Sequence, residues 1–288
     1  KRVYGCLGTV GKRNYKFYYG YLELKGKFER KVLVMEQRII KGLEQVGQDD
    51  VIMLCFTHAG GGASFYYRWR IPLEYSCKVC QVQLPGREER LEEKPYTGFK
   101  EPVMEIVDIL MQYDNPIVLY GHSMGTKLAY EVEKELEKRG RKSELLIVSA
   151  CPPPHVEEKN PIGHLPDEAF VEALIRMNGI PKAMQEEPEI LKIFLPLLRA
   201  DFILSEGYTC EEKVLLECPI RAMGGYEDGE AVEKELLLWK EYNPYDFSLK
   251  MFDGDHFYIR EREKEVLKQI GRYILDATRV EVHDRTSA

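Results

Sequence analysis

The string Gly121-His122-Ser123-Met124-Gly125 sets a serine between two glycines, each two positions away. This G-x-S-x-G pattern suits a sharp strand-to-helix turn that lifts a serine hydroxyl clear of the backbone, and small residues at 121 and 125 let that turn close. The flanks fit. Residues 117–120 form a short apolar run of strand type, and residues 127–139 carry a helical pattern stopped by Gly140. A serine hydroxyl becomes a nucleophile only when a base takes its proton, and six histidines are available. His122 lies inside the turn, with its side chain expected to point away from that of the serine. His155 and His164 fall in a helical stretch, His283 in a polar tail and His58 in an early loop. His256 follows the last apolar strand run, in Asp253-Gly254-Asp255-His256. That is where the chain order serine, acid, histidine calls for the base.

The acid that orients this base and stabilises its imidazolium form has two possible sources. The loop after residues 145–150 contains Cys151 and Pro152 but no carboxylate. The loop after the strand ending near Met223 reads Gly224-Gly225-Tyr226-Glu227-Asp228. Asp228 is the favoured acid and Glu227 its adjacent competitor. An oxyanion formed on attack needs two backbone N–H donors. One belongs to Met124, the residue after the nucleophile. The other belongs to the loop His58-Ala59-Gly60-Gly61-Gly62, where Ala59 is assigned and Gly60 held in reserve.

These residues need a scaffold, and the apolar runs describe one. Strand-like runs at 51–56, 78–84, 117–120, 145–150, 219–224 and 247–252 are interleaved with helical patterns at 101–112, 127–139 and 231–239. Apolar strands alternating with helices imply a mostly parallel sheet covered on both faces, a doubly wound α/β architecture. With the serine turn, this is the α/β-hydrolase fold. Between residues 152 and about 213 the alternation stops. Two helical patterns, 167–177 and 188–204, are joined there by Gly179-Ile180-Pro181. Some sixty residues between two strands exceed a simple connection, and an inserted helical lid over the site is expected. The hydrolase domain is thus read as 51–280, with a polar tail at 281–288. Residues 1–50 are read as an appended segment without a chemical motif, β-prone and aromatic at 14–24 and compatible with a helix at 31–46.

Composition excludes several classes. The net charge of −7 argues against a nucleic-acid binder. It is unevenly spread: residues 1–50 hold 11 Lys and Arg against 6 Asp and Glu, a balance of +5 that leaves −12 for the remainder. A solvated face is the simplest reading of that basic leader. The apolar runs fall far short of a membrane span, and the first residues show no secretory signal. Seven cysteines do not make a disulfide framework. A cytoplasmic protein is expected. The first residue is Lys rather than Met, so a trimmed chain or a piece of a longer one is expected.

Several longer strings make the chain resemble a family. They are Cys55-Phe56-Thr57-His58-Ala59-Gly60-Gly61, Val82-Gln83-Leu84-Pro85-Gly86-Arg87-Glu88, the serine turn, Leu165-Pro166-Asp167, Leu195-Pro196-Leu197-Leu198-Arg199-Ala200-Asp201-Phe202 and Gly254-Asp255-His256-Phe257. Over roughly residues 51–275 the chain resembles the type II (external, editing) thioesterases of non-ribosomal peptide and polyketide synthesis. The resemblance implies hydrolysis of acyl thioesters from the phosphopantetheine arm of an acyl or peptidyl carrier protein, and a helical lid. By position it carries over Ser123, Asp228 and His256 as the triad, with Ala59 and Met124 as oxyanion donors. The partner would be a carrier protein, with the chain fused to or cut from a larger synthase as an open arrangement. The arm belongs to the substrate, so no cofactor is expected. Two positions depart from the family pattern: Thr57 stands where proline is usual, and Asp255 where glycine is usual. Thr57 changes the stiffness of the oxyanion loop, and Asp255 sets a negative charge beside the base.

Other features carry less chemistry. Cys77 and Cys80 form a lone C-x-x-C without a second pair for zinc; they are read as structural, and no metal is expected. Gly60-Gly61-Gly62 lacks the Gly-Lys-Ser/Thr of a phosphate loop. Arg87 either contacts a carrier phosphate or braces its own loop. Two rival functions remain: a serine carboxylesterase or acyltransferase with the same triad, and a non-catalytic binding module on the same scaffold.

Overall fold

The computed structural model describes residues 39–285 except 181, 209, 211 and 212, with backbone alone at 182, 183 and 279–285. Its frame is a seven-stranded sheet of β1 (Ile40–Lys41), β2 (Ile52–Phe56), β3 (Lys78–Val82), β4 (Ile117–His122), β5 (Leu145–Ser149), β6 (Ile220–Gly225) and β7 (Phe247–Phe252). The order is β1-β3-β2-β4-β5-β6-β7, and every pair is parallel except the edge pair β1–β3. β2, β4 and β5 are buried along their whole length, as central strands covered on both faces must be. Side chains alternate across the sheet with period two. Leu54 and Phe56 pack on one face with Ile106, Val107 and Leu128, while Met53 and Cys55 pack on the other with Trp69, Tyr120 and Ile270.

The helices are α1 (Arg70–Leu73), α2 (Lys100–Leu110), α3 (Met124–Lys138), α4 (Asp167–Arg176), α5 (Lys182–Gln185), α6 (Pro188–Glu206), α7 (Glu233–Leu236), α8 (Tyr258–Glu261) and α9 (Glu263–Arg285). The expected parallel sheet and its helical layers are present. α4, α5 and α6 form the expected helical insertion between β5 and β6. It has its own small core of Ile162, Phe170, Ala173, Leu174, Leu191, Leu195 and Leu198. No described helix is long and apolar enough to cross a membrane.

Three expectations need correction. The sheet begins before residue 51: β1 pairs in register with β3, Ile40 opposite Val82, and Ile39, Ile40 and Leu43 are buried in the main core. Of the helix-compatible stretch 31–46, residues 31–38 lie outside the described residues, and Ile39 is helical. From Ile40 the stretch departs from a helix, into strand β1 and a short 3-10 turn, Leu43–Gln45, because the β-branched Ile40 gains more from burial at the edge of the sheet. The aromatic stretch 14–24 lies outside the described residues. The polar tail expected from residue 281 is instead continuous with α9, whose backbone runs to Arg285. That helix is anchored by Val266, Ile270 and Ile274 against the second face of the sheet.

Candidate active site

The site sits at the carboxyl ends of the parallel strands, where successive loops open onto a shared crevice. β4 ends in Gly121-His122, and Ser123 turns the chain into α3 with φ 55° and ψ −125°. A non-glycine residue at positive φ is strained and persists only where its surroundings enforce it. Here the surroundings are tight. A Cβ on Gly121 would lie 2.5 Å from Gly125 O, and one on Gly125 would lie 2.7 Å from Thr57 O. Hydrogen bonds fix the turn from below. Ser123 N–H donates to Ser149 O at 2.8 Å and Thr126 N–H to Ser123 O at 2.9 Å, while Thr126 Oγ1 contacts Gly121 O at 2.8 Å.

His256, in the loop after β7, faces Asp228, in the loop after β6, with Nδ1 and Oδ2 2.9 Å apart. Asp228 is held in turn by the N–H groups of Glu230 at 2.9 Å and Ala231 at 3.3 Å, both donating to Oδ1. Asp228 is buried and Glu227 exposed, so the two competing acids separate cleanly. Burial alone disfavours a charged imidazole. The hydrogen bond and charge of Asp228 outweigh it, Glu230 and Asp255 add to them, and His256 titrates above its ordinary 6.5. Asp255 therefore acts on the base as its charge suggested. Its carboxylate also accepts from Phe257 N–H at 2.7 Å and Asn178 Nδ2 at 2.7 Å.

The other histidines have different surroundings. His122 is fully buried under the turn, with Nδ1 2.8 Å from Ser149 Oγ, which lies 2.6 Å from Tyr258 OH. Burial holds it well below the ordinary value. His58 is packed edge-on against Phe65 and Phe257. Burial first, then the charge of Arg260, pushes it down to about 3, so it stays neutral and weakly basic. His155 pairs with Tyr242 OH at 2.9 Å. The side chain of His283 lies outside the described residues.

Ala59 and Met124 are the two residues expected to turn an N–H toward an oxyanion. Among the described residues neither N–H is given to a protein acceptor, and both residues line one cavity with Ser123 and His256. The N–H of Gly60, by contrast, already donates to Asp201 Oδ2 at 2.7 Å. Thr57 Oγ1 donates to Gly61 O at 3.0 Å, so a hydrogen bond braces the loop where a proline ring would. Arg87 resolves toward bracing as well: only 3% exposed, it forms a two-pronged pair with Asp201, 2.8 Å at each prong. The cavity measures about 90 Å³, and the insertion roofs it with Leu174, Met177, Leu198 and Phe202.

Some residues of this site were beyond sequence reasoning. Asp201 appeared only inside a longer string, and its link to the loop at 57–61 spans 141 positions. Gln83, buried, accepts from Ala63 N–H at 2.7 Å and donates to Arg87 O at 3.0 Å; nothing but its place beside the Pro85-Gly86 turn could have singled it out. Cys77 and Cys80 belong to opposite faces of the sheet, and burial pushes both thiols up to about 12, which fits a structural role.

The model of the thioesterase domain family matches residues 51–274. The chain belongs to the thioesterase family. LgrE of Brevibacillus parabrevis is 32% identical over 244 residues, covering 83% of this chain and 93% of LgrE. It is named a linear gramicidin dehydrogenase, a redox name at odds with the family match. The gramicidin S biosynthesis protein GrsT of Aneurinibacillus migulanus is 34% identical over 219 residues, covering 75% of this chain and 86% of GrsT. Among solved structures, the thioesterase RedJ of the prodiginine pathway in Streptomyces coelicolor superposes with a TM-score of 0.72 at 30% identity, over 78% of this chain and 86% of RedJ. The thioesterase is thus an α/β-hydrolase acting on thioesters, with relatives named for peptide and polyketide pathways.

Proposed function

We propose that this thioesterase releases acyl groups from the phosphopantetheine thiol of an acyl or peptidyl carrier protein, with Ser123, His256 and Asp228 as its triad. The observation that carries the reading is the buried His256–Asp228 pair opening onto the same lidded cavity as Ser123. His256 takes the proton from Ser123 Oγ as it attacks the thioester carbonyl, and Asp228 keeps the imidazole in the right tautomer and stabilises the imidazolium. The N–H groups of Ala59 and Met124 hold the oxyanion. The C–S bond then breaks, and the imidazolium proton goes to the leaving thiolate. Water activated by His256 attacks the acyl-serine, and the second tetrahedral intermediate collapses to the free acid and Ser123 Oγ–H. A thiolate leaves readily, so less general-acid help is needed than for an amide.

The carrier as partner is supported by relatives such as GrsT and by the strings shared with editing thioesterases. The apolar side chains of Leu174, Met177, Leu198 and Phe202 along the cavity suit the acyl chain of such a thioester. On this reading the enzyme works in the cytoplasm and needs no cofactor of its own. A fluorophosphonate probe tests the nucleophile. Labelling confined to Ser123 is expected, and an unlabelled Ser123 in folded protein would return the binding-module reading. Faster cleavage of a thioester than of the matching oxygen ester separates a thioesterase from a carboxylesterase.

A further inference from the structure

We infer that the Arg87–Asp201 pair positions the oxyanion loop, and that it does so only while lid helix α6 is seated. This inference rests on Ala59 as an oxyanion donor. Asp201 comes from the lid, whereas everything its carboxylate holds comes from the body of the enzyme. Oδ2 receives both the N–H of Gly60 at 2.7 Å and Arg87 Nη1 at 2.8 Å, and Oδ1 receives Arg87 Nη2 at 2.8 Å. Arg87 in turn donates from Nη1 to Gly61 O at 3.1 Å and from Nε to Pro85 O at 3.2 Å. Asp201 is 1% exposed, so no water replaces a lost partner. Leu198, one turn earlier on α6, fills the space that a Cβ on Gly60 would need.

Gly60 is the residue after Ala59, so fixing its N–H restrains the neighbouring peptide that presents the Ala59 N–H to the cavity. With φ +74°, Gly60 is also free to relax once released. Lifting α6 removes the acceptor from Gly60 and the counter-charge from the Arg87 guanidinium. The oxyanion hole and the closed lid therefore stabilise one another, and linkage makes the coupling reciprocal. An oxyanion held by Ala59 should draw α6 down, and a raised lid should leave a slack hole. Asp201 and Arg87 are positioning residues, since neither touches the reacting atoms.

The test compares two double variants, because replacing both members of a buried ion pair avoids an unpaired charge. Arg87→Leu with Asp201→Leu removes the acceptor for Gly60 N–H. Arg87→Leu with Asp201→Asn keeps one in the amide oxygen. With melting temperatures near that of the wild type, the first should lose on the order of 10² in kcat with KM within about threefold, and the second should recover at least tenfold of that loss. Equal activity of the two variants, or near-normal kcat in the first, would overturn the inference. A second readout does not need turnover. Phosphonylation of Ser123 by a fluorophosphonate sets a tetrahedral oxygen at the hole, and amide hydrogen exchange should then slow in residues 188–206 as well as 57–62. In the Leu–Leu variant the slowing at 188–206 should vanish. Slowing confined to 57–62 in the wild type would refute the coupling, whereas lack of acyl release by a wild type that shows both would count against the proposed substrate instead.

Discussion

Adding one methyl group at Gly125 should damage the site in a way that can be calculated from its surroundings. A Cβ there would lie 2.7 Å from Thr57 O and would collide outright with the Phe56 carbonyl. Carbon–oxygen contacts normally begin at about 3.3 Å, so the backbone must give by roughly 0.6 Å at Thr57 and by more at Phe56. Neither partner is a flexible side-chain tip. Phe56 closes β2, in register opposite Gly121 of β4, and Thr57 begins the loop that presents Ala59. The strain therefore pushes the two proposed oxyanion donors apart, Met124 with the turn and Ala59 with β2. A misplacement near 1 Å is associated with losses of about 10²-fold, so Gly125→Ala should lower kcat/KM by about 10- to 100-fold. Overpacking of this kind costs about 1–3 kcal/mol, which corresponds to a fall in melting temperature of roughly 2–12 °C for a domain of this size. The assay is steady-state thioester hydrolysis alongside thermal unfolding. Gly98→Ala is the matched control, because nothing lies within 4 Å of a Cβ there. Turnover by Gly125→Ala within twofold of wild type would refute the claim that close backbone packing sets the hole.

Further outcomes follow from the same geometry. Asp228→Asn should leave the fold intact and reduce kcat by about 10⁴-fold, as loss of the orienting carboxylate does in such triads; rapid-quench kinetics would check it. Because His256 titrates above 6.5 and works as a neutral base, the acid limb of the kcat/KM profile should fall above pH 6.5. Asp255→Gly removes a carboxylate that favours the imidazolium, so that limb should move to lower pH; no movement would mean that the charge of Asp255 is screened from the base. Ser149→Ala strips a buried partner from both His122 Nδ1 and Tyr258 OH. It should cost about 1–3 kcal/mol per group left unsatisfied, read by urea unfolding.

Much of this arrangement was legible because it is local. Each strand run of apolar residues declared itself, and the turn at 121–125 needs small residues that only a few sequences offer. The order of Ser123, Asp228 and His256 along the chain mirrors the order of the strands that carry them. Contacts made through space were not legible. β1 is two residues long and gives no periodicity to read, since its membership of the sheet depends on pairing with Val82 and Gln81. The Arg87–Asp201 pair spans 114 positions, and no local pattern announces that an aspartate on an amphipathic helix faces inward. Nor does the sequence show that the N–H of Gly60, the reserve donor, is engaged by that same aspartate. Asp228 and Glu227 differ in sequence by one methylene, and only burial beside His256 separates them.

The most direct test of the account is release of acetyl and longer acyl groups from a phosphopantetheinylated carrier protein, comparing wild type with Ser123→Ala. Alanine keeps the Cβ already accommodated at φ 55°, so the variant should melt like the wild type. Release by the wild type alone is the expected result. Equal release by both proteins would contradict the account of Ser123. Release by neither, with Ser123 still open to a fluorophosphonate, would point to a carboxylesterase or acyltransferase in place of the carrier-protein thioesterase.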